Sequence, residues 1–314
     1  MHIEIRKRGK RKEIYLAHSF RDNGRVRKVR RKLGVDLTEK EIDAAREGAE
    51  RAILEQIEIY RRIRDPLHTV LSEREMKIVD EITQDIDLKI EHLSEEDWFV
   101  FTEAFTYDTN AIEGSAVTAS EVRDIIERDR WPIDKSKEDI SETYGVAEAV
   151  KYIRETKEHI SLDLLKRLHS IVFKNSKDFA GRFREPGIEV VVADSRGNIL
   201  HRGAPQRHVV SLLKELIDWY NSNKENYHPI VFAAVVHNQF ENIHPFQDGN
   251  GRVGRLLLNN ILLKHKLPPV NIEFKKRGAY YSSLRNYQRT GNIRPTIELI
   301  IKEYRELKKS LRKR

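Results

Sequence analysis

The sequence predicts a mainly α-helical fold with linking helices, one β-hairpin flap in the helical body and a small N-terminal β-hairpin appendage. Three observations carry that expectation. After residue 36, apolar residues recur at steps of three and four through most of the chain. One β-branched run, "GIEVVVADSRGNILH", interrupts this helical pattern. At the N-terminus, "EIYLAHSF" and "RVRKVRRKL" are strand-like runs on either side of "RDNG", where Asn23-Gly24 suits a tight turn.

The first helix is read over "DLTEKEIDAAREGAERAILEQIEIYRRIRD". Ile42, Ala45, Ala49, Ala52 or Ile53, Ile57 and Tyr60 fall on one face, and Pro66 ends it. Helical periodicity resumes from Glu73 to Ile90. Ser94 in "SEED" caps a helix that runs to Gly114. "SEVRDIIERDR", "SKEDISETYGVAEAVKYIRE" and "SLDLLKRLHSIVFKN" add three more. The β-branched run then turns at Ser195-Arg196-Gly197 to make the flap. Beyond it lie "HVVSLLKELIDWYNSN", "HPIVFAAVVHNQFENI" with Pro229 in its first turn, and "RVGRLLLNNILLKHK". The division expected is an appendage at 1–35, a helical linker region at 36–93 and a main domain at 94–314.

Composition narrows the function classes. The chain has 314 residues, 39% apolar and 34% charged, with a mean hydropathy of −0.63 and no 18-residue apolar stretch, so no membrane span is expected. It has no cysteine, which excludes disulfides, thiolate zinc sites and cysteine nucleophiles. The N-terminus lacks the apolar run of a secretory signal, and a cytoplasmic location is expected. Positive charge is concentrated. Residues 1–35 hold 13 Lys/Arg and 3 Asp/Glu, a net of +10, against +8 for the whole chain. That surplus makes nucleic acid a candidate partner at residues 1–35, although only Tyr15 and Phe20 are available there for base stacking.

The densest chemistry lies in "HPFQDGNGRVGR", residues 244–255. Gly249, Gly251 and Gly254 match a dinucleotide fingerprint, but a helix precedes them where a strand is required. A phosphate loop fails as well, because Arg255 and Leu256 replace its Lys and Ser/Thr. A calcium loop lacks its further oxygen ligands. The residues nevertheless fit an anion. The glycines leave backbone N–H groups able to converge at the start of the next helix, whose dipole is positive there. Arg252 and Arg255, three apart, are expected to reach over the same place. Asp248 is a hard oxygen ligand suited to Mg²⁺ shared with phosphates. His244 is positioned to take a proton from a hydroxyl.

This string resembles the Fic (filamentation induced by cAMP) signature, HPF-x-[DE]-GNGR-x-x-R, at every defining position. The resemblance implies a Fic-type helical core over about 94–300 and transfer of AMP from ATP to a hydroxyl on a target protein. It assigns His244 as base and Asp248 as the Mg²⁺ ligand. Gly249, Asn250 and Gly251 become the anion hole, and Arg252 and Arg255 the phosphate-holding arginines. "FAGRFREPGIEVV" is similar to the segment that leads into the family's flap, here about 188–204, which would hold the target's backbone as an added strand. Tyr280 or Tyr281 either lines the adenine pocket or packs in the core. "TNAIEG" resembles the family's inhibitory [ST]-x-x-x-E-[GN], with Thr109 and Glu113. It implies that Glu113 pairs with Arg255 and blocks the γ-phosphate, and in some family members the same Glu helps remove AMP. Transfer of another nucleotide such as UMP, a nucleic-acid-binding regulator and a homodimer are left open by the sequence.

Overall fold

The computed structural model describes all residues except 10, 23–24, 65, 68, 70, 86–88, 189, 194–198 and 312–314, and of 22, 25, 55, 58–64, 191–193, 199–202 and 311 it describes the backbone alone. The expected turns at Asn23-Gly24 and Ser195–Gly197 and the Tyr60 side chain fall outside this set. The chain divides into two compact units, Met1–Asp65 and Pro66–Arg314.

The first unit corrects the expected hairpin. It is a three-stranded antiparallel sheet, β1 (His2–Arg8), β2 (Arg11–Asp22) and β3 (Arg25–Val35), in the order β1-β2-β3. Gly9, at φ 64°, turns β1 into β2. β1 is short, and four of its seven residues are charged. Its period-2 signal is only Ile3 and Ile5, which pair with Leu16 and Ile14 and so share their face. Helix α1 (Glu39–Arg64) packs on the sheet and buries Ile53 and Ile57 with Ile14, Leu16, Phe20 and Val29.

The second unit is built around two helices, α8 (Pro229–Ile243) and α9 (Asn250–Lys264). Every residue of α8 from Ile230 to Ile243 is buried, including the polar His237, Asn238, Gln239, Glu241 and Asn242 of its C-terminal half. α7 (Val209–Asn223), α10 (Arg277–Thr290) and α11 (Arg294–Leu311) pack against α8. α3 (Glu95–Ile112), α5 (Lys137–Glu155) and α6 (Leu162–Phe173) pack against α9. α2 (Glu73–Gln84) lies on α11, and α4 (Ala119–Arg128) on α3 and α5. α2 stops at Gln84, short of the expected Ile90, where Asp85 turns extended. The flap is the antiparallel pair β4 (Val191–Ala193) and β5 (Ile199–Arg202).

Two local devices set the position of α3. Ser94 and Asp97 form a reciprocal capping box at its start. Gly114, at φ 97°, ends it just after Glu113, so the acid projects from the last turn. Close packing sets the position of α5. A Cβ built on Gly145 would stand 2.3 Å from the backbone oxygen of Val172 in α6. Gly145→Ala gains helix propensity of about 1 kcal/mol at most, while a clash with backbone costs about 1–3 kcal/mol. The variant is therefore expected to be less stable in urea denaturation. A neutral or positive change would contradict this packing.

Candidate active site

A cleft at the α8–α9 turn gathers Glu113, Glu241, His244, Asp248, Gly249, Asn250, Gly251, Arg255, Tyr280 and Tyr281. The turn is held from several sides. His244 caps α8 in a left-handed conformation, φ 52° and ψ 63°. Asn250 spans the loop: its Oδ1 accepts from the Phe246 N–H at 2.8 Å, and its Nδ2 donates to the Phe246 carbonyl at 2.9 Å. Its side chain thus fixes the loop, leaving its backbone N–H for an anion. Phe246 is fully buried and stacks on His169 at 4.0 Å. Gly249 lies at φ 77°, and a Cβ there would overlap the Phe173 ring at 2.2 Å. Glycine is required at that position on both counts.

His169 of α6, unmarked by any motif, ties three segments together. Its Nδ1 accepts from the Gly181 N–H at 2.8 Å, so its Nε2 carries the proton donated to the Asp248 carbonyl at 3.1 Å. Burial holds it neutral, with its pKa lowered to about 4. Arg184 is the second such residue. It is 2% exposed, and its guanidinium donates to the carbonyls of His244 at 2.9 Å, Ile188 at 3.0 Å and Ala204. It therefore clamps both ends of the flap to the residue at the heart of the motif. Gly203 allows that approach, since a Cβ there would stand 2.9 Å from the His244 Cβ. The segment "GRFR" signalled Arg184; nothing in the local sequence signalled His169.

His244 Nδ1 donates to the Glu241 carbonyl at 3.2 Å, which leaves Nε2 as the basic nitrogen. Burial depresses its pKa to about 4, so the ring is neutral and able to accept a proton. Asp248 is half-exposed. Its Oδ1 accepts from the Gly249 N–H at 2.6 Å, and Lys177 Nζ stands 3.9 Å from its Oδ2. The first N–H groups of α9, Asn250 to Arg252, lack partners within the helix.

Arg255 is 1% exposed and ringed by acceptors. Its Nε donates to Thr109 Oγ1 at 2.7 Å, and its Nη2 to Thr109 O at 3.1 Å and Glu113 Oε1 at 2.7 Å. Its Nη1 donates to the Tyr280 hydroxyl at 3.3 Å. Burial works against its charge, but Tyr280 and Glu113 outweigh it and raise the guanidinium pKa. Glu113 also lies against Gly251, where a Cβ would meet its Oε1 at 2.1 Å. Its carboxylate thus stands at the positive end of α9 as well as on Arg255. Tyr281, whose hydroxyl donates to the Ile112 carbonyl at 3.1 Å, forms the neighbouring wall.

Arg252 is held differently. It is buried, ion-paired with Glu142 of α5 and 4.5 Å over the Phe173 ring, and its Nη2 stands 3.9 Å from Asp248 Oδ1. Three residues of helix turn roughly 300°, so side chains at 252 and 255 diverge by roughly 60°. That is enough to send Arg252 towards α5 and α6 and Arg255 towards α3 and α10.

Residues 159–262 match the Fic/DOC family. The chain carries a Fic domain. A protein adenylyltransferase Fic from Nematostella vectensis is 37% identical to it over 200 residues, 62% of this chain and 45% of that protein. A Fic-1 structure from C. elegans superposes with a TM-score of 0.61 at 26% identity, covering 88% of this chain and 78% of that one. A Fic family protein from Desulfovibrio desulfuricans G20 shares the fold, with a TM-score of 0.65 at 24% identity over 77% and 75% of the two chains. The chain spans about half the length of the curated relatives it matches, 45% of the one from N. vectensis. Among the described residues no helix is long and apolar enough to cross a membrane.

Glu241 is the site residue that sequence reasoning missed. It lies buried on α8, its Oε1 without a hydrogen-bond partner among the described residues and its Oε2 3.9 Å from His244 Nδ1. Burial raises its pKa to about 8, opposed by Arg255 and reinforced by Glu113. A folded pKa above the unfolded one contributes stability below about pH 4.5 that is lost as pH rises through about 8. Glu241→Gln removes this dependence. The melting temperature of the variant relative to wild type should therefore climb between pH 5 and pH 8.5, by the equivalent of a few kcal/mol at most. A constant difference across that range would contradict the burial of this carboxyl in its neutral form.

Proposed function

We propose that the Fic domain transfers AMP from ATP to a hydroxyl side chain of a target protein, and that Glu113 holds the reaction off. The observation that carries this reading is the cleft itself, where a neutral imidazole, a half-exposed carboxylate and a helix N-terminus with a buried arginine face one another. In the reaction, His244 Nε2 takes the proton of the target hydroxyl as its oxygen bonds to the α-phosphorus. The bond from that phosphorus to the bridging oxygen breaks, and pyrophosphate leaves. The N–H groups of Asn250 and Gly251 and the Arg255 guanidinium bind the phosphate chain. Tyr280 and Tyr281 border the space left for the base.

Asp248 fits a magnesium site of the kind that Mg²⁺ forms with substrate: one accessible carboxylate, with phosphate oxygens completing the shell. Mg²⁺ bound there would offset negative charge on the phosphates. Arg252, through Glu142 and Phe173, positions the turn, and its Nη2 lies 3.9 Å from Asp248 Oδ1, beside the proposed metal ligand. The target lies along the flap at 188–204. A two-stranded sheet leaves edges to which an extended segment can add, and Arg184 and Gly203 place that strand next to His244.

Inhibition follows from the same contacts. Glu113 occupies the Arg255 guanidinium and the N-terminal end of α9, so a γ-phosphate must displace it. Wild type, Glu113→Gly and Glu113→Gly/His244→Ala are to be incubated with ATP and Mg²⁺ and read by intact mass. An adenylyl adduct is expected on the single variant, with a rate lower by roughly 10²–10⁴ in the double variant. Wild type modifying itself as fast as Glu113→Gly would overturn the inhibitory role. An undiminished double variant would overturn His244 as the base.

A further inference from the structure

We propose that the face of the N-terminal sheet opposite α1 is a docking surface for double-stranded B-form DNA, a binding function separate from the nucleotide chemistry of the Fic domain. The strand register assigns the residues of the sheet to two faces. Leu16 pairs with Ile3 and Arg31, and Ile14 with Ile5 and Gly34, which places the apolar residues of β2 on one face. That face is the one α1 covers, as the burial of Ile14, Leu16, Phe20 and Val29 shows. The alternating residues form the opposite face. They include Arg6, Arg8, Arg11, Arg21, Lys28, Arg30 and Lys32 against only two carboxylates, Glu4 and Glu13.

Both acids are already engaged by cations of the same face. Lys28 and Arg30 converge on Glu4, Arg30 at 2.5 Å, and Lys32 reaches Glu13 at 2.6 Å. These pairs hold the β3 cations in a row instead of cancelling the face, which keeps a surplus of positive charge. Lys28, Arg30 and Lys32 follow one another at every second residue of a strand, so they stand roughly 6.5 Å apart. That step is about two 3.4 Å phosphate rises of one DNA strand. Three strands span roughly 10 Å of backbone, close to the roughly 12 Å opening of the B-form major groove.

The aromatic residues decide between duplex and single strand. Single-strand binding relies on exposed rings on which bases stack. Phe20 is buried on the covered face. Tyr15 lies on the charged face, but the Arg6 guanidinium stands 5.5 Å over its ring, and its hydroxyl donates to Glu13 at 3.0 Å. The surface offers cations without a stacking platform. An A-form RNA duplex presents a deep, narrow major groove that a sheet cannot enter.

The test is fluorescence anisotropy of the full chain with a labelled 20-base-pair DNA duplex, titrated at salt concentrations from 50 to 200 mM. About five net cations predict a slope of log affinity on log salt of about −4 to −5. Arg6→Ala/Arg11→Ala/Arg21→Ala should lower affinity at least tenfold at 100 mM salt and reduce the slope by about 2.5. Lys302→Ala/Arg305→Ala/Lys309→Ala, which removes the same charge from α11, should bind as wild type does. Circular dichroism of the first triple variant checks that its sheet is retained, and Lys28→Gln/Lys32→Gln, which removes the charge but keeps a polar side chain, should weaken binding in the same direction. The proposal is overturned if both sheet variants bind like wild type, or if binding is insensitive to salt. It is equally overturned if the single strand or an RNA duplex of the same sequence binds as tightly as the DNA duplex.

Discussion

The buried contact between Arg255 and the end of α3 is the constraint on which the site depends. Arg255 is nearly sealed from solvent, and a guanidinium so placed must keep its donors satisfied. Thr109 takes two of them, Tyr280 one and Glu113 another. Thr109 and Tyr280 belong to the framework, but Glu113 sits on the last turn before Gly114 and is a quarter exposed. It is therefore the one partner of Arg255 that can be exchanged without taking the core apart. Leaving a buried charge unpaired costs about 3–5 kcal/mol, towards the lower end here because Glu113 is partly solvated. An anionic phosphate is a ligand that can take over the role, so in the proposed reaction one arginine would serve both as phosphate site and as seat of inhibition.

The rest of the domain serves to keep that arginine and His244 in register. α8 is wholly buried, so its C-terminal end cannot drift, and Arg184 ties its last carbonyls to the flap. His169 and Asn250 fix the turn that follows, and Arg252 with Glu142 fixes the first turn of α9 from the opposite side. The chemistry thus rests on a turn whose backbone groups are held by buried side chains on several elements. Asp248 and Glu113 are the site carboxylates that reach solvent. The N-terminal unit is organised on a different principle, one apolar face covered by α1 and one cationic face left open.

Much of this was legible in the residues. Ser94, Gly114 and Pro229 mark helix ends by local chemistry, and the ends fall where those residues place them. The motif from His244 to Arg255 and the pair Thr109 and Glu113 could be read because each resembles a Fic-family motif contained in one short stretch of chain. What was not legible depends on packing across the chain. β1 was missed because seven mostly charged residues give almost no period-2 signal, and it takes Leu16 and Ile14 on the next strand to reveal the shared face. Arg252 stands 3.9 Å from Asp248 Oδ1, but its ion pair with Glu142 of α5 is a contact that chain-local spacing does not reveal. Glu241 and His169 carry no motif; only burial gives them their properties.

The central claim is that Glu113 and the terminal phosphates compete for one guanidinium. Isothermal titration of ATP and of AMP into wild type and Glu113→Gly, in Mg²⁺, tests it most directly. The account predicts that the substitution tightens ATP binding about tenfold or more, equivalent to about 1.4 kcal/mol. AMP, which lacks the β- and γ-phosphates, should change by less than twofold. An equal gain for AMP, or no gain for ATP, would contradict it.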